Sequence, residues 1–372
     1  MIDPKHFVDS LKSVGLDFFA GVPDSLLKDF CAYVDDNALP NQHVITANEG
    51  NAVSMASGYH MASGKSAVVY LQNSGLGNTI NPLTSIADAE VYQTPMLLVV
   101  GWRGEPGVKD EPQHVKQGRI TQGQLELLEI PYSIVDAQSS AQELADWSRS
   151  KLDETGGPVA LLVKKGVFAS YKSVRKHPAE SMMKREEALS EILELAGNAA
   201  IVSTTGKTSR EVFELRVDRG ESQRDFLTVG GMGHTASIAL GVALAKPERP
   251  VVCIDGDGSV LMHMGALPII GSLVPQNFTH ILLNNAAHES VGGQPTVGGR
   301  TDFQAIATAS GYQGYEVAST PEELRDAWAR LSLKSGPKML EVKIATGSRD
   351  NLGRPSSTPC ENKNAFMEWL AK

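Results

Sequence analysis

Cysteine is scarce in this chain of 372 residues: Cys31, Cys253 and Cys360 stand far apart, and no two are at a metal-ligand spacing. A disulfide scaffold is therefore not expected, and the three read as reduced thiols of a cytoplasmic protein. Aromatic residues make up only 6%, and no uninterrupted apolar run is long enough to cross a bilayer. The opening Met1–His6 carries an acid and has no apolar core, so neither a leader nor an anchor is expected. Positive charge is also short, with 34 Lys+Arg against 43 Asp+Glu, which argues against a nucleic-acid partner. Heptads, low-complexity tracts and strong repeats are missing too. What remains is the composition of a globular enzyme with enough apolar content for two cores.

Apolar, β-branched runs near 67–71, 96–101 and 159–163, and again near 200–203, 226–229, 250–254, 279–283 and 338–344, alternate with helical stretches. That pattern predicts an α/β fold twice over, each half a mainly parallel sheet flanked by helices. Ser170–Pro178 is polar, basic and proline-ended, like a linker. The expected division is a first domain over 1–170, a linker over 171–190 and a second domain over 191–372.

The richest motif is Gly256-Asp257-Gly258-Ser259, followed after 24 further residues by Asn284-Asn285. It follows the strand-like run Arg249–Ile254. Gly256 and Gly258 lack the Cβ that would keep a diphosphate off the backbone, and loop N–H groups can donate to the anion. Asp257 then faces a magnesium ion, which takes carboxylate or amide oxygens beside phosphate oxygens and water. Asn285 can add a side-chain oxygen and Ala287 a backbone carbonyl. Asp-Gly is common in turns and Asn-Asn at strand ends, so the signal lies in the combination.

Two other motifs compete. Gly231-Met232-Gly233-His234-Thr235-Ala236 follows a strand, opens a helix and precedes a strand ending at Asp255, close to a dinucleotide fingerprint. It keeps a nicotinamide oxidoreductase open as a different-class reading, although Asp255 runs straight into the Gly-Asp-Gly loop. Gly58 to Gly64-Lys65-Ser66 imitates a P-loop but is one residue too long and precedes its strand.

With Thr46-Ala47-Asn48-Glu49-Gly50-Asn51-Ala52 added, the chain resembles the thiamine diphosphate decarboxylase superfamily. Gly21–Leu27, Gln72–Asn78, Thr204–Glu211 and Gly298–Phe303 narrow this to a resemblance to phosphonopyruvate decarboxylases, with sulfopyruvate decarboxylases as close relatives. The resemblance implies two thiamine-diphosphate-binding domains, pyrimidine-binding then diphosphate-binding, without the additional middle domain of larger relatives. It implies decarboxylation of phosphonopyruvate to phosphonoacetaldehyde in phosphonate biosynthesis, or of sulfopyruvate as the alternative. Glu49 is implied to share a proton with N1′ of the cofactor's pyrimidine, so that the 4′-imino group can take the C2 proton. The Gly230 carbonyl is implied to accept from the 4′-amino group, Met232 to hold the cofactor bent, and Gly256–Ser259 with Asn285 to hold its diphosphate and metal. Ser25, Asn73, Gln113, His114, His234 and His288 are expected to line the substrate site, with Lys207 a partner for the phosphonate. A homodimer or dimer of dimers is implied, with sites shared between subunits.

Two departures carry further expectations. Pro268 is tolerated in a first helical turn but not in a helix interior, so the helix after the diphosphate loop is expected to start near Gly265. Ala286 stands where relatives usually carry glycine, and a positive φ there costs an alanine about 1 kcal/mol.

Overall fold

The computed structural model describes residues 1–174 and 182–372. They form two compact units and no third: Met1–Lys176 with Ser290–Gln294, and His177–Glu289 with Pro295–Lys372. The first contains β1 (Phe19–Gly21), β2 (His43–Ile45), β3 (Ala67–Gln72), β4 (Met96–Gly101), β5 (Tyr132–Val135) and β6 (Val159–Val163), all parallel, in the order β2-β1-β3-β4-β6-β5. Strands β3, β4 and β6 are buried on both faces. Val68, Tyr70, Leu97, Val99 and Leu161 belong to one core, and Val69, Leu71, Leu98, Val100 and Leu162 to the other. That two-sided burial is why these strands read as continuous apolar runs.

The second unit's sheet contains β7 (Ala200–Ser203), β8 (Phe226–Leu227), β9 (Val251–Gly256) and β10 (Phe278–Asn284). After two two-residue strands, β11 (Ala287–His288) and β12 (Gln294–Pro295), come β13 (Gly314–Ala318) and β14 (Lys338–Lys343). The sheet is parallel, ordered β13-β14-β10-β9-β7-β8. Numbered afresh within each unit and read in the matching direction, the strand order is 2-1-3-4-6-5 in both. Such a sheet reverses direction between its first and third strands, and ligands bind outside the carboxyl ends at that crevice. The crevices are those beyond β1 and β3 and beyond β7 and β9.

Several expectations change in detail. Strands β1, β2, β5 and β13 have no counterpart among the runs picked out in the sequence. The helix Arg185–Ala196 begins inside the range assigned to a linker, and residues 175–181 of that range lie outside the described residues. The chain turns helical at once after β9, over Asp257–Met262; a second helix, Ala266–Leu273, has Gly265 as its N-cap and Pro268 in its first turn. The P-loop imitation lies mostly in the helix Glu49–Ser63, and Lys65 bonds Asp17 at 3.0 Å. Among the described residues no helix is long and apolar enough to cross a membrane.

Candidate functional site

In the second unit, β9 and β10 are neighbours, and this brings the two halves of the main motif together. Asp257, the first residue after β9, is buried; it accepts from the Thr296 hydroxyl, and backbone N–H groups of Gly258 and Asn285 face it. Burial outweighs these donors and pushes its carboxyl up to about 6. Glycines leave the space beside it narrow but open. A Cβ on Gly298 would lie 2.3 Å from Asp257 Oδ2, and one on Gly258 would lie 3.2 Å from the His288 ring and 3.4 Å from the Met232 methyl.

The two asparagines differ. Asn284 is buried and donates to Glu341 at 2.7 Å and to the Gly298 carbonyl at 3.1 Å, so it braces the strand end. Asn285 is half-buried; its Oδ1 accepts from Ala287 N–H, and its amide donates to Glu289 at 3.0 Å. Ala286, between Asn285 and Ala287, takes a φ of 53°, the strained conformation expected of it.

Glu289 also accepts from Arg185 at 2.7 Å and Lys207 at 2.8 Å. Burial alone would raise its pKa, but the two cations outweigh burial and lower it. Lys207 is thus already paired within the unit. Arg185 is shared with buried Glu211.

The Gly230–Gly233 turn lies against the same loop. Its three glycines have positive φ; Gly230 N–H donates to Thr205 and Gly233 N–H to Ser259, each at 3.0 Å. The helix Thr235–Ala245 follows. This is the near-dinucleotide fingerprint, and two facts count against it. Strand β8 is an edge strand, and the Asp255 carboxylate is buried, one oxygen bonded to Gly256 N–H. His288 is buried, which lowers its pKa to about 4 and keeps the ring neutral. His234 is exposed and stacks at 4.4 Å on His263, whose buried Nε2 has no partner.

The first unit has its own cluster. Glu49 is the first residue of the helix Glu49–Ser63, which Asn48 caps through Asn51 N–H. Its carboxylate accepts from Asn78 at 2.7 Å, and a Cβ on Gly75 would come within 2.3 Å of it. Burial raises its pKa, and the Asn78 bond only partly offsets this. The site therefore favours a shared or retained proton on this carboxyl.

Beyond β1, Asp24 is fully buried and accepts from Leu26 and Leu27 N–H; burial pushes it up to about 6. Ser25 accepts from Arg103, whose guanidinium is paired with Asp110. Asp110 also meets the buried His114 ring at 3.0 Å; burial opposes ionisation, but Arg103 and His114 hold its pKa well below the ordinary range. Gln113 is the second residue of the helix Pro112–Leu127, which also carries His114, and its side-chain oxygen is buried without a partner. Asn73 is wholly buried, and both its amide atoms are engaged, by Arg103 and Thr121. It braces the end of β3 and offers no free amide to a substrate.

Several contributors carry no local sequence signal: Thr296, Glu289, His263 and the Arg103–Asp110 pair; Asn78 falls within the Gln72–Asn78 motif, but nothing there marks it as the partner of Glu49. The donor set itself fits a hydrated divalent cation beside a diphosphate. A buried carboxylate, an amide oxygen and a backbone carbonyl on an adjoining strand end, and a loop whose glycines leave the backbone accessible are what such a group needs.

Residues 4–125 match the thiamine pyrophosphate enzyme N-terminal TPP binding domain, and residues 204–342 match the C-terminal TPP binding domain. A phosphonopyruvate decarboxylase from Streptomyces viridochromogenes is 36% identical, covering 100% of this chain and 95% of its own, and one from Streptomyces hygroscopicus is 35% identical with the same coverage. A sulfopyruvate decarboxylase from Methanosarcina acetivorans is 26% identical over 100% of this chain and 98% of its own. The chain belongs to the thiamine pyrophosphate enzymes, within the phosphonopyruvate decarboxylase family.

Proposed function

We propose that this protein decarboxylates phosphonopyruvate to phosphonoacetaldehyde and carbon dioxide, in phosphonate biosynthesis, with thiamine diphosphate and Mg²⁺. The observation that carries the substrate is the full-length relation at 36% to a phosphonopyruvate decarboxylase, against 26% to a full-length sulfopyruvate decarboxylase. When bound, the thiazolium of the cofactor supplies the electron sink for loss of carbon dioxide.

The chain's own residues do the rest. Asp257, the Asn285 side chain and the Ala287 carbonyl hold the magnesium ion, while Gly256, Gly258 and Ser259 leave room for the diphosphate. Glu49 holds the proton shared with N1′, and its raised pKa suits that task. The Gly230 carbonyl would accept from the 4′-amino group, and Met232 would pack against the cofactor. Neutral His288, with Ser25, Gln113, His114 and His234, orients the substrate; Lys207 acts instead through Glu289, which holds the Asn285 amide.

The active unit is a homodimer, or a dimer of dimers, in which each site takes Glu49 and Asp257 from different copies. Mixing Glu49→Gln and Asp257→Ala chains is expected to restore part of the activity, and verified mixed dimers without recovery would refute the shared site. The substrate is tested by initial rates of carbon dioxide release from phosphonopyruvate, sulfopyruvate and pyruvate with Mg²⁺ and thiamine diphosphate. The fastest turnover should be on phosphonopyruvate; preference for sulfopyruvate would transfer the assignment to that substrate.

A further inference from the structure

One cluster in the second unit is used by none of this chemistry. Cys253 and Asp255 alternate along β9 and so share a face, and His280 is the register partner of Cys253 on β10. All three are buried, and their sulfur, oxygen and nitrogen atoms lie within 4.8 Å of one another. Asp255 Oδ2 and His280 Nε2 face each other at 3.8 Å, and neither has a hydrogen-bond partner. Buried polar atoms without partners are costly, so an orphaned pair beside a thiol calls for an occupant.

We propose that Cys253, Asp255 and His280 bind one thiophilic divalent cation, zinc by their chemistry, at a site separate from the magnesium position. A mixed S, O, N donor set suits zinc and not magnesium, which prefers oxygen alone. Zinc bonds to oxygen and nitrogen are about 2.0–2.2 Å, so two such bonds meeting at an open angle span the gap between Oδ2 and Nε2. Thiolate and carboxylate together balance the charge of the ion. Binding displaces the thiol proton to solvent, and no electron transfer is involved.

The outer shell is in place as well. Asp255 Oδ1 accepts from Gly256 N–H at 3.0 Å, which leaves Oδ2 for the ion. His280 Nδ1 meets the Tyr312 hydroxyl at 3.0 Å, and if the ring donates there, Nε2 is an unprotonated ligand. Three protein donors leave one position for a water. The ligands are separated in sequence by a strand crossover, which is why no linear cysteine spacing reveals them. Because the site is closed, the ion is expected to load as the unit folds. It would tie β9 to β10 just below the strand ends that carry Asp257 and Asn285.

The test uses full-length Cys360→Ser protein, which removes the exposed thiol. After growth with zinc and native dialysis against a chelator, elemental analysis should find one zinc per chain. Growth with cobalt should give the absorption bands of a four-coordinate thiolate site. Cys253→Ser and His280→Asn should each lower retained zinc roughly 10-fold or more. Zinc at background level in the parent, or stoichiometric zinc that survives both substitutions, would overturn the proposal. If either variant is insoluble, the parent's zinc content and cobalt spectrum decide: zinc with the thiolate band supports the site, and lack of either refutes it. The proposal does not depend on the assigned substrate.

Discussion

The two units share one strand order and use it differently. In the first, the acid assigned to proton handling, Glu49, sits at the start of the helix that follows edge strand β2, and the carboxyl ends of β1 and β3 carry Asp24, one oxygen of which holds Leu26 and Leu27 N–H, and Asn73, whose amide is fully engaged. In the second, the carboxyl ends of central strands β9 and β10 carry Asp257 and Asn285, and glycines keep that rim bare. The lesson is that a shared topology fixes which strand ends come together, while residue size and pairing decide whether the groups there are left accessible or taken up by local bonds.

The largest effect is expected from Asp257→Ala. That variant should lose magnesium-dependent cofactor binding, weakening it more than about 100-fold, since outer-shell partners alone are worth 10–100-fold. Calorimetric titration measures this, and near-ultraviolet circular dichroism should report an unchanged fold. Wild-type affinity would remove the metal role from this unit.

Glu49→Gln tests the other unit. It should keep cofactor binding but slow exchange of the C2 proton by roughly 10²-fold or more, the usual scale of a positioned acid or base. Exchange followed by NMR in deuterium oxide is the readout, and a wild-type rate would end the assigned role.

Asp24→Asn sharpens the contrast between a bracing acid and a binding acid. A carboxyl raised from 3.8 to about 6 by burial favours the folded state fully below its unfolded pKa, and that advantage is lost as pH rises through about 6. The shift corresponds to about 3 kcal/mol. The asparagine variant should therefore gain on wild type between pH 4 and pH 7, read from urea unfolding at each pH. Parallel stability curves would show that Asp24 does not carry this burden.

The smallest effect is expected from Ala286→Gly, which relieves the positive φ and should stabilise the apoprotein by no more than about 1 kcal/mol. A small rise in thermal midpoint would support this; a fall would mean that the methyl group contributes packing that outweighs the strain.

The sequence was legible where burial was two-sided. Strands β3, β4, β6, β9, β10 and β14 are apolar runs because both faces are covered, and each was anticipated. Strands β2, β5 and β13 lie at sheet edges, are half-exposed along most of their length and lack an apolar signature; β1 is buried but only three residues long. The Gly-Asp-Gly and Asn-Asn elements stand out because a tight turn and a strand end restrict residue type locally, and the pairing of β9 with β10 brings them together. Pairings made at long range left no such trace. Nothing near Lys207 announces Glu289, 82 residues away, and nothing near Asp257 announces Thr296. Pro268 and Ala286 were readable for the opposite reason, since ring and methyl sterics act on their own backbone.

Each six-stranded sheet is assembled wholly from its own stretch of sequence, β1 to β6 in one and β7 to β14 in the other. Covalent continuity is therefore not a requirement of either sheet. A gene cut between the codons for Val174 and Met182 would sever no ladder of the described sheets, and two separately translated polypeptides would each carry all six strands of one sheet. The same architecture is thus compatible with a one-gene or a two-gene inheritance, and the amounts of the two halves could then be set independently by the cell.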